Sequence, residues 1–423
     1  MKQNMLTLAL IALATVAKAQ TLEECQKAAE RNYPLIRQYD LITKTTDLTV
    51  KNIQKGWLPQ ITVSTQITYQ SDVMSWPGNM KGLFQQMGLD MKGLTKDQYK
   101  VGIDLQQTIY DGGAIGSQNK IARQQGKVKE AQHEVTLYQI RKRVNEMYFA
   151  LLLLDEQIKL NDDIKALLMS SEKRLCNMMK SGTAAMSDLE NVKAERLNAE
   201  QQNTSMKSQR NTLQRLLSIF CGIEVNNAQK PEIVKERSLS INRPELRLFD
   251  AQLQLTDVQG KALNAQLLPK LGLFAQGYYG YPGLNMFQDM IKHKWGLNGI
   301  VGVKLFWNIG ALYTRKNDKA KLLLQREITE NSREVFLFNT KLEQTQQNEN
   351  ISRYLNMIQS DNEIIALRTH VRKAAESKLA HGIIDVNSLL REINSENAAK
   401  IQQAIHEIDM LKEMYNQKNT NNE

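Results

Sequence analysis

Few side chains in this 423-residue sequence stand at spacings that could perform chemistry. The three cysteines, Cys25, Cys176 and Cys221, form neither a CxxC signature nor an even-numbered disulfide framework, and we interpret them as buried or tolerated small apolar residues. The five histidines lack metal-binding spacings such as HExxH and are interpreted as surface residues of helices: His133, His293, His370, His381 and His406. The sequence therefore predicts no catalytic residue, no metal site and no cofactor.

Two further patterns resemble ligand sites but have simpler explanations. Gly112-Gly113-Ala114-Ile115-Gly116 follows a predicted strand and opens a helix, as a dinucleotide-binding turn does. No βαβ pattern surrounds it, so we interpret it as a bend between a strand and a long helix. A group of methionines could offer sulfur ligands to copper, but packing by a flexible apolar side chain is the favoured interpretation: Met169, Met178, Met179 and Met186.

The charge distribution argues against nucleic acid as a partner. The formal net charge is +10, but basic residues alternate with acidic ones along helical stretches, as in Lys127-Val128-Lys129-Glu130. A nucleic-acid site requires a concentrated basic patch. Contact with anionic lipid headgroups remains compatible with this composition.

The first residues have the pattern of a signal peptide. Lys2 precedes an apolar run from Met5 to Val16, and Ala17-Lys18-Ala19 is a cleavage site of the A-x-A type. The run is shorter than the ~20 residues of a membrane-spanning helix. We predict a signal peptide over residues 1–19 and a mature chain that begins at Gln20.

Four segments alternate between apolar and polar residues with a period of two, which predicts strands at about 60–70, 100–110, 270–281 and 296–308. In the first, Ile61, Val63, Ile67 and Tyr69 share one face, while Thr62, Ser64, Gln66 and Thr68 share the other. The intervening regions show sustained seven-residue spacing of apolar positions, which is typical of helices packed as coiled coils. A helix from Ala114 to Lys180 would be roughly 100 Å long at ~1.5 Å per residue.

The whole pattern occurs twice. Leu58-Pro59 corresponds to Leu268-Pro269, and the helical breaks at Gly182 and Gly382 stand 200 residues apart, as do Leu189 and Leu389. We therefore predict two repeats, residues 20–242 and 243–423, each with a helix, two strands and a long helical hairpin whose tip lies near residue 182 or 382.

The predicted strands are suited to a membrane. Each has about the 9–11 residues of a tilted membrane strand, and aromatic residues gather at the strand ends, as at bilayer interfaces. We single out Tyr69, Tyr110, Tyr279 and Trp307. A soluble core could instead cover the apolar faces, but the sequence offers no apolar helix suited to that purpose. Four strands cannot close a barrel, which takes at least ~8, so several chains would have to contribute.

These residues resemble the TolC-like outer-membrane efflux proteins over essentially the whole mature chain. The resemblance rests on Gly56-Trp57-Leu58-Pro59 before the first strand, on Ile109-Tyr110-Asp111-Gly112-Gly113 after the second, and on the repeated turns. It implies a homotrimer with a twelve-stranded β-barrel in the outer membrane of a Gram-negative bacterium, continuous with a twelve-helix tunnel through the periplasm. It also implies a periplasmic adaptor protein and an inner-membrane transporter as partners, outer-membrane lipid around the barrel, and no chemistry.

The resemblance also implies roles for individual residues. The hairpin tips would dock the adaptor through Gly182, Asp188, Leu189, Gly382, Ser388 and Leu389. In the family an acidic residue and another three positions later help to form a constricting acidic ring; here Ser388 and Arg391 occupy these places. Asp385 is a candidate substitute, and Asp385 and Arg391 are therefore candidate gate residues. The change from barrel to tunnel would fall at Asp111, Gly112, Gly113, Asn308 and Gly310.

Two other interpretations stay open from the sequence. A periplasmic coiled-coil adaptor would also be exported and rich in helical hairpins, but it should contain one hairpin with a lipoyl-like domain rather than a duplicated pattern. A secreted structural coiled-coil protein would not need four amphipathic strands. The cargo, whether drug, metal ion, siderophore or polypeptide, cannot be read from the sequence.

Overall fold

The computed structural model describes residues 20–88, 92–234 and 241–422. The predicted signal peptide, residues 1–19, lies outside them. The chain divides into two compact units. The first comprises Met1–Asp40, Ala131–Leu248 and Asn331–Glu423, and the second comprises Leu41–Glu130 and Phe249–Glu330.

The described residues are mostly helical, with four strands. The helices are α1 Leu22–Asn32, α2 Ile36–Gln54, α3 Gly78–Gln86, α4 Ala114–Lys180, α5 Met186–Cys221, α6 Pro244–Ala265, α7 Met286–Lys292, α8 Ala311–Ala380 and α9 Val386–Asn421. The strands are β1 Gln60–Tyr69, β2 Asp97–Tyr110, β3 Lys270–Tyr281 and β4 Gly296–Phe306. No helix among the described residues is both long and apolar enough to cross a membrane.

The first helical segment of the described chain is interrupted at Tyr33 and Pro34. Helix α1 ends at Asn32, and Tyr33 has an extended conformation with φ −63° and ψ 130°. Pro34 disfavours helical backbone in the residue that precedes it, which explains the break. Thr21 begins α1 through a capping box, because its hydroxyl accepts a hydrogen bond from the Glu24 amide while the Glu24 carboxylate accepts one from the Thr21 amide.

The four strands form one antiparallel sheet in the order β1-β2-β3-β4. β2 begins at Asp97, a few residues before the predicted start, and an irregularity between Thr108 and Tyr110 shifts its register with β3. The loops between β1 and β2 and between β3 and β4 contain the short helices α3 and α7, which the sequence pattern did not predict. Both are too short for a clear periodicity, and their side chains pack locally: Trp76 contacts Phe84 and Phe287 with ring centroids 5.3 and 5.9 Å apart.

Two apolar clusters stabilise the first unit. One joins α1, α4, α5, α8 and α9 around the fully buried Tyr148, Phe149 and Leu151. The other lies near the ends of the long helices, around Leu168, Leu175, Leu389 and Ile393. Burial of a large apolar side chain contributes roughly 1.5–3 kcal/mol to stability. The contacts in these two clusters therefore stabilise helices that each have only a narrow row of apolar residues.

Candidate functional site

The register of the sheet places apolar side chains from all four strands on one face. Ile61 pairs with Leu105, Leu105 with Ala275, and Ala275 with Val301, so the four share a row. Val301 is 82% exposed and Leu297 is 84% exposed, although both are apolar. An extended apolar face open to its surroundings indicates a surface that another apolar phase covers.

The opposite face is mainly polar. Asp104 accepts a 2.8 Å hydrogen bond from the Gln276 amide and lies 3.4 Å from the Ser64 hydroxyl. A groove of about 620 Å³ runs along this face and is lined by both basic and acidic side chains, among them Asp104, Lys270 and Lys304. The sheet therefore has one exposed apolar face and one mainly polar face.

Aromatic side chains lie at both ends of the sheet. Tyr69 ends β1, and Tyr279 lies near the end of β3 on the same side, where Trp295 packs 5.7 Å from Tyr99 and 5.6 Å from Tyr279. Tyr110 and Trp307 lie at the other end, and the Trp307 indole donates a 2.9 Å hydrogen bond to the Leu267 carbonyl. The four predicted aromatics are exposed, and none belongs to an apolar core cluster.

The junction between β2 and α4 is built around Asp111. Its buried carboxylate accepts hydrogen bonds from the amides of Gly113 at 2.8 Å and Ile115 at 2.5 Å, which caps the helix start. Gly112 and Gly113 have φ values of +67° and +83°, which favour glycine. A Cβ atom on Gly112 would also lie 2.7 Å from Leu268 Cβ.

The junction between β4 and α8 is built differently. The Asn308 carbonyl accepts a 3.3 Å hydrogen bond from the Ala311 amide. Gly310 is not among the described glycines with positive φ, so the left-handed backbone found at Gly112 is absent from this residue. The predicted bend by glycine therefore has a conformational basis at the first junction and not at the second.

The two hairpin tips share one backbone motif. The Gly182 amide donates to the Met179 carbonyl at 3.0 Å and the Thr183 amide to the Met178 carbonyl at 2.9 Å. Gly382 and Ile383 repeat both bonds, to Leu379 and Lys378, at 3.0 and 2.9 Å. This is the Schellman motif, in which glycine adopts a left-handed conformation. The φ values are +73° at Gly182 and +68° at Gly382, and neither Cβ position has an atom within 4 Å.

The two helices that return from the tips, α5 and α9, each have an acidic residue at their start, but the two residues occupy different positions. Asp188 lies inside the first turn of α5 and accepts a 3.2 Å hydrogen bond from the Ala185 amide. Asp385 instead precedes α9, and its carboxylate accepts a 2.9 Å bond from the Ser388 amide. Hydrogen bonds from the Ser388 side chain and backbone lower the pKa of Asp385, so it is ionised at neutral pH. The exposed Arg391 also lowers it, from the next turn.

The tips expose apolar side chains that sequence reasoning did not assign to docking. Leu389 is buried and Leu189 is partly buried, because both pack into the apolar cluster between the hairpins. Ile383 is 70% exposed, and Met186 is also exposed. Ile383 directly follows the turn glycine, as Thr183 does in the first repeat. An alignment of the two turns could therefore have identified this apolar residue at the second tip.

A pair of ion clusters lies a few turns from the tips, with opposite charges at corresponding positions. Arg196 contacts Glu172 at 2.8 Å and Glu200 at 3.3 Å. At positions 200 higher, Glu396 contacts Arg372 and, at 2.8 Å, Lys400. Glu396 is almost fully buried, and burial alone would raise its pKa. Hydrogen bonds from Lys400, Arg372 and Thr369 outweigh this effect and lower the pKa.

Two histidines that we interpreted from the sequence as surface residues are buried: His133 and His406 are each 5% exposed. His406 pairs with Asp361 at 2.7 Å inside the helical packing. Across residues 20–88, 92–234 and 241–422, no group of three or more His, Cys, Asp and Glu side chains could hold a metal ion.

Comparison with known proteins relates this geometry to a family. Residues 25–219 match the model of the outer membrane efflux protein family. No curated protein matches the chain.

Solved structures share the fold at low sequence identity. The outer-membrane channel OprN has a TM-score of 0.68 at 13% identity, with 94% of this chain and 89% of that chain covered. The CmeC outer membrane channel of Campylobacter jejuni gives 0.64 at 12% identity, with coverage of 94% and 85%. The MtrE outer membrane channel of Neisseria gonorrhoeae, in an open state, gives 0.65 at 12% identity, with coverage of 94% and 88%.

These similarities confirm the predicted fold class, a mainly helical chain with a small antiparallel sheet. They also confirm the resemblance drawn from the sequence. Residues 25–219 thus match the model of the outer membrane efflux protein family, and over most of its length the chain has the fold of outer-membrane channels.

Proposed function

We propose that this chain is one of three identical subunits of an outer-membrane channel in a tripartite efflux or type I secretion system. The channel conducts substrates passively, from a periplasmic adaptor and an inner-membrane transporter to the exterior, and it catalyses no reaction. The observation that carries this proposal is the sheet, which has one exposed apolar face, one polar face and aromatic residues at both ends.

The sheet in a single chain is incomplete as a membrane structure. β1 and β4 are the outer strands of the four-stranded sheet, and each has one strand neighbour among the described residues. In hydrocarbon, an open strand edge would leave amide and carbonyl groups without partners, each at a cost of several kcal/mol. A closed membrane barrel contains at least ~8 strands. Three copies supply twelve, with β1 of one subunit paired to β4 of the next.

The two faces then have natural environments. The apolar rows around Val301 and Leu297 contact lipid, and the aromatic residues at the sheet ends lie at the interfaces, where an apolar ring with a polar group is favoured. The polar face, with Asp104 and Lys304, lines the water-filled lumen. Both signs of charge border the groove on this face, so the sheet by itself selects no single class of cargo.

We infer that residues 20–242 and 243–423 are two copies of one ancestral repeat. The order helix, strand, strand, long helix and returning helix occurs in both, and the two tips share the Schellman motif. The ion clusters of Arg196 and Glu396 stand at corresponding positions with inverted charge, as expected when two copies have diverged while each kept its own pairing.

The tips are the proposed docking surface for the adaptor. Gly182 and Gly382 set the turns, and Asp188 and Asp385 fix the helix starts. Leu189 and Leu389 hold the tips together from the inside. The surface that a partner would contact therefore includes Met186 and Ile383, whose apolar side chains are exposed although an apolar cluster lies directly beneath them.

A photo-crosslinking amino acid at Ile383 tests this proposal in the native host. We expect a crosslinked product with the mass of one channel chain plus one adaptor chain. Ile219, at the far end of α5, is the matched control because it is 75% exposed and also apolar. The control should give no adaptor product. Equal adaptor capture from both positions, or none from Ile383, would contradict docking at the tips.

A second variant separates docking from assembly. Gly182→Glu places a charged side chain at the first tip and forces a non-glycine residue into a left-handed turn. We expect export to be lost while trimers still form in the outer membrane. Normal export by this variant would show that the first tip is only a turn.

A further inference from the structure

Two of the three cysteines, far apart in the sequence, meet in the core of the first unit. Cys25 lies in α1, and Cys221 is the last residue of α5. Both belong to the same apolar cluster, with 0% and 1% of their surfaces exposed. The interaction between the two thiols raises the pKa of Cys25 and lowers that of Cys221, as expected of neighbouring side chains.

Contacts on both sides of the pair fix the two segments against each other. Before Cys25, the Gln20 amide donates a 3.0 Å hydrogen bond to the Asn227 carbonyl. After it, Asn32 donates to the Ile219 carbonyl at 3.2 Å, and the Tyr33 ring lies 5.5 Å from the Phe220 ring. The cysteine contact is therefore held by the packing of the start of the mature chain on the end of α5.

We propose that Cys25 and Cys221 form a disulfide bond in the exported protein. An outer-membrane protein passes through the periplasm, an oxidising compartment in which disulfides form and persist. A disulfide bond joins residues whose Cα atoms are about 4.4–6.8 Å apart, a separation that the direct packing of α1 on α5 allows.

The reaction is a thiol–disulfide exchange with an oxidised protein dithiol as co-reactant. One cysteine thiolate attacks a sulfur of the oxidant's disulfide, and a mixed disulfide forms while the other oxidant sulfur leaves as a thiolate. The second cysteine thiolate then attacks the mixed disulfide at the sulfur of the first. This step forms the Cys25–Cys221 bond and releases the oxidant as a dithiol with two electrons and two protons.

The chemistry of the pair is compatible with this reaction. In the unfolded chain either thiol can reach the oxidant, because neither is yet enclosed by the apolar cluster. Because neither sulfur is accessible in the folded unit, the exchange takes place before folding is complete. Cys176 is not part of the pair; it lies in α4 and is partly exposed.

Differential alkylation of the full-length protein in its own outer membrane tests the pair. Cells are quenched in acid and denatured with N-ethylmaleimide, and the protein is then reduced and labelled with iodoacetamide before peptide mass spectrometry. We expect the first label on Cys176 and the second on Cys25 and Cys221. A peptide map without reduction should contain one linked peptide that carries Cys25 and Cys221. The first label on both of these residues, or a link from either one to Cys176 or to another chain, would overturn the proposal.

Variants provide the controls. Cys176→Ser should leave the labelling of the pair unchanged. In Cys25→Ser, Cys221 should instead react with the first label, N-ethylmaleimide. With reductant present during heating, the midpoint of thermal unfolding of the detergent-solubilised protein should fall by about 5 °C in the wild type and in Cys176→Ser, because reduction of the unfolded chain removes a cross-link across a long loop. No reductant-dependent change is expected in Cys25→Ser. If that variant does not accumulate, the labelling of the wild type alone decides.

Discussion

The Ser388 amide donates a 2.9 Å hydrogen bond to the carboxylate of Asp385, which precedes helix α9. In the first repeat the acidic residue lies three positions later, at Asp188, and binds the Ala185 amide from inside the helix. At the first tip the carboxylate thus comes three residues after the amide that it binds, and at the second tip it comes three residues before that amide. Asp385 serves as a helix cap, which accounts for its position without a role as gate.

Substitutions at Asp385 separate the cap from the charge. Asp385→Ala should destabilise the protein because the cap is lost, whereas asparagine caps almost as well and should cost little. The thermal midpoint of each variant measures this difference. If Asp385 were a gate, Asp385→Asn would instead change the cation selectivity of single channels while stability stayed constant.

The Tyr148 hydroxyl lies 2.7 Å from the carbonyl oxygens of both Gln20 and Gln229. Burial raises the pKa of Tyr148, so the hydroxyl stays protonated and can donate. Tyr148→Phe removes the donor from a buried site and should cost ~1–2 kcal/mol. Tyr138→Phe is the control, because the Tyr138 hydroxyl is buried without a hydrogen-bond partner in the described part of the chain. The control should be neutral or slightly stabilising, and equal losses in the two variants would refute the assignment.

Gly112 and Gly113 allow the effect of a steric clash to be separated from that of backbone strain. Both have positive φ, but only Gly112 has a neighbour, Leu268 Cβ, at 2.7 Å from the position of an added Cβ. Gly113→Ala should cost ~1 kcal/mol for the left-handed backbone alone. Gly112→Ala should cost a further ~1–3 kcal/mol, since buried atoms must move. The yield of folded trimer and its thermal midpoint report the order, and equal losses in the two variants would mean that the junction is loosely packed.

Glu396 should make stability sensitive to acid. Its pKa is lowered in the folded protein, so its ionised form stabilises the fold above the unfolded-state pKa of about 4.3. That contribution is lost as the pH falls below ~4.3 and through the lowered folded-state value. Glu396→Gln should therefore show a smaller loss of thermal midpoint between neutral and acid pH than the wild type.

Glu330 is the matched control for this experiment. It pairs with Arg326 at 2.9 Å on an exposed helix surface, where ion pairs contribute little. Glu330→Gln should keep the acid sensitivity of the wild type. A wild-type profile in Glu396→Gln would mean that the buried cluster is not responsible.

Much of the fold could be predicted because it depends on local patterns in the sequence. Alternation located the strands, since each strand has one apolar and one polar face, and glycine marked both tips because a left-handed residue ends the helix there. The duplication predicted the order of elements in the second half from the first.

The remaining features depend on which distant segments pack together. The contact of Cys25 with Cys221 follows from the docking of α1 on α5, which no local pattern reveals. The charges of Glu172 and Arg196, 24 residues apart, interact because they face each other across the hairpin. The break at Pro34 could have been predicted, because proline disfavours helical backbone in the residue before it. The exposure of Ile383, in contrast, depends on how the helices pack at the tip.

The central claim is that the sheet is shared among three chains. Light scattering of the protein extracted from the outer membrane in detergent, corrected for bound detergent, measures the number of chains in the particle. The account predicts a protein mass of three mature chains. A monomer in the membrane extract, or a soluble monomer, would mean that the apolar face of the sheet is covered in another way, and the shared channel would be contradicted.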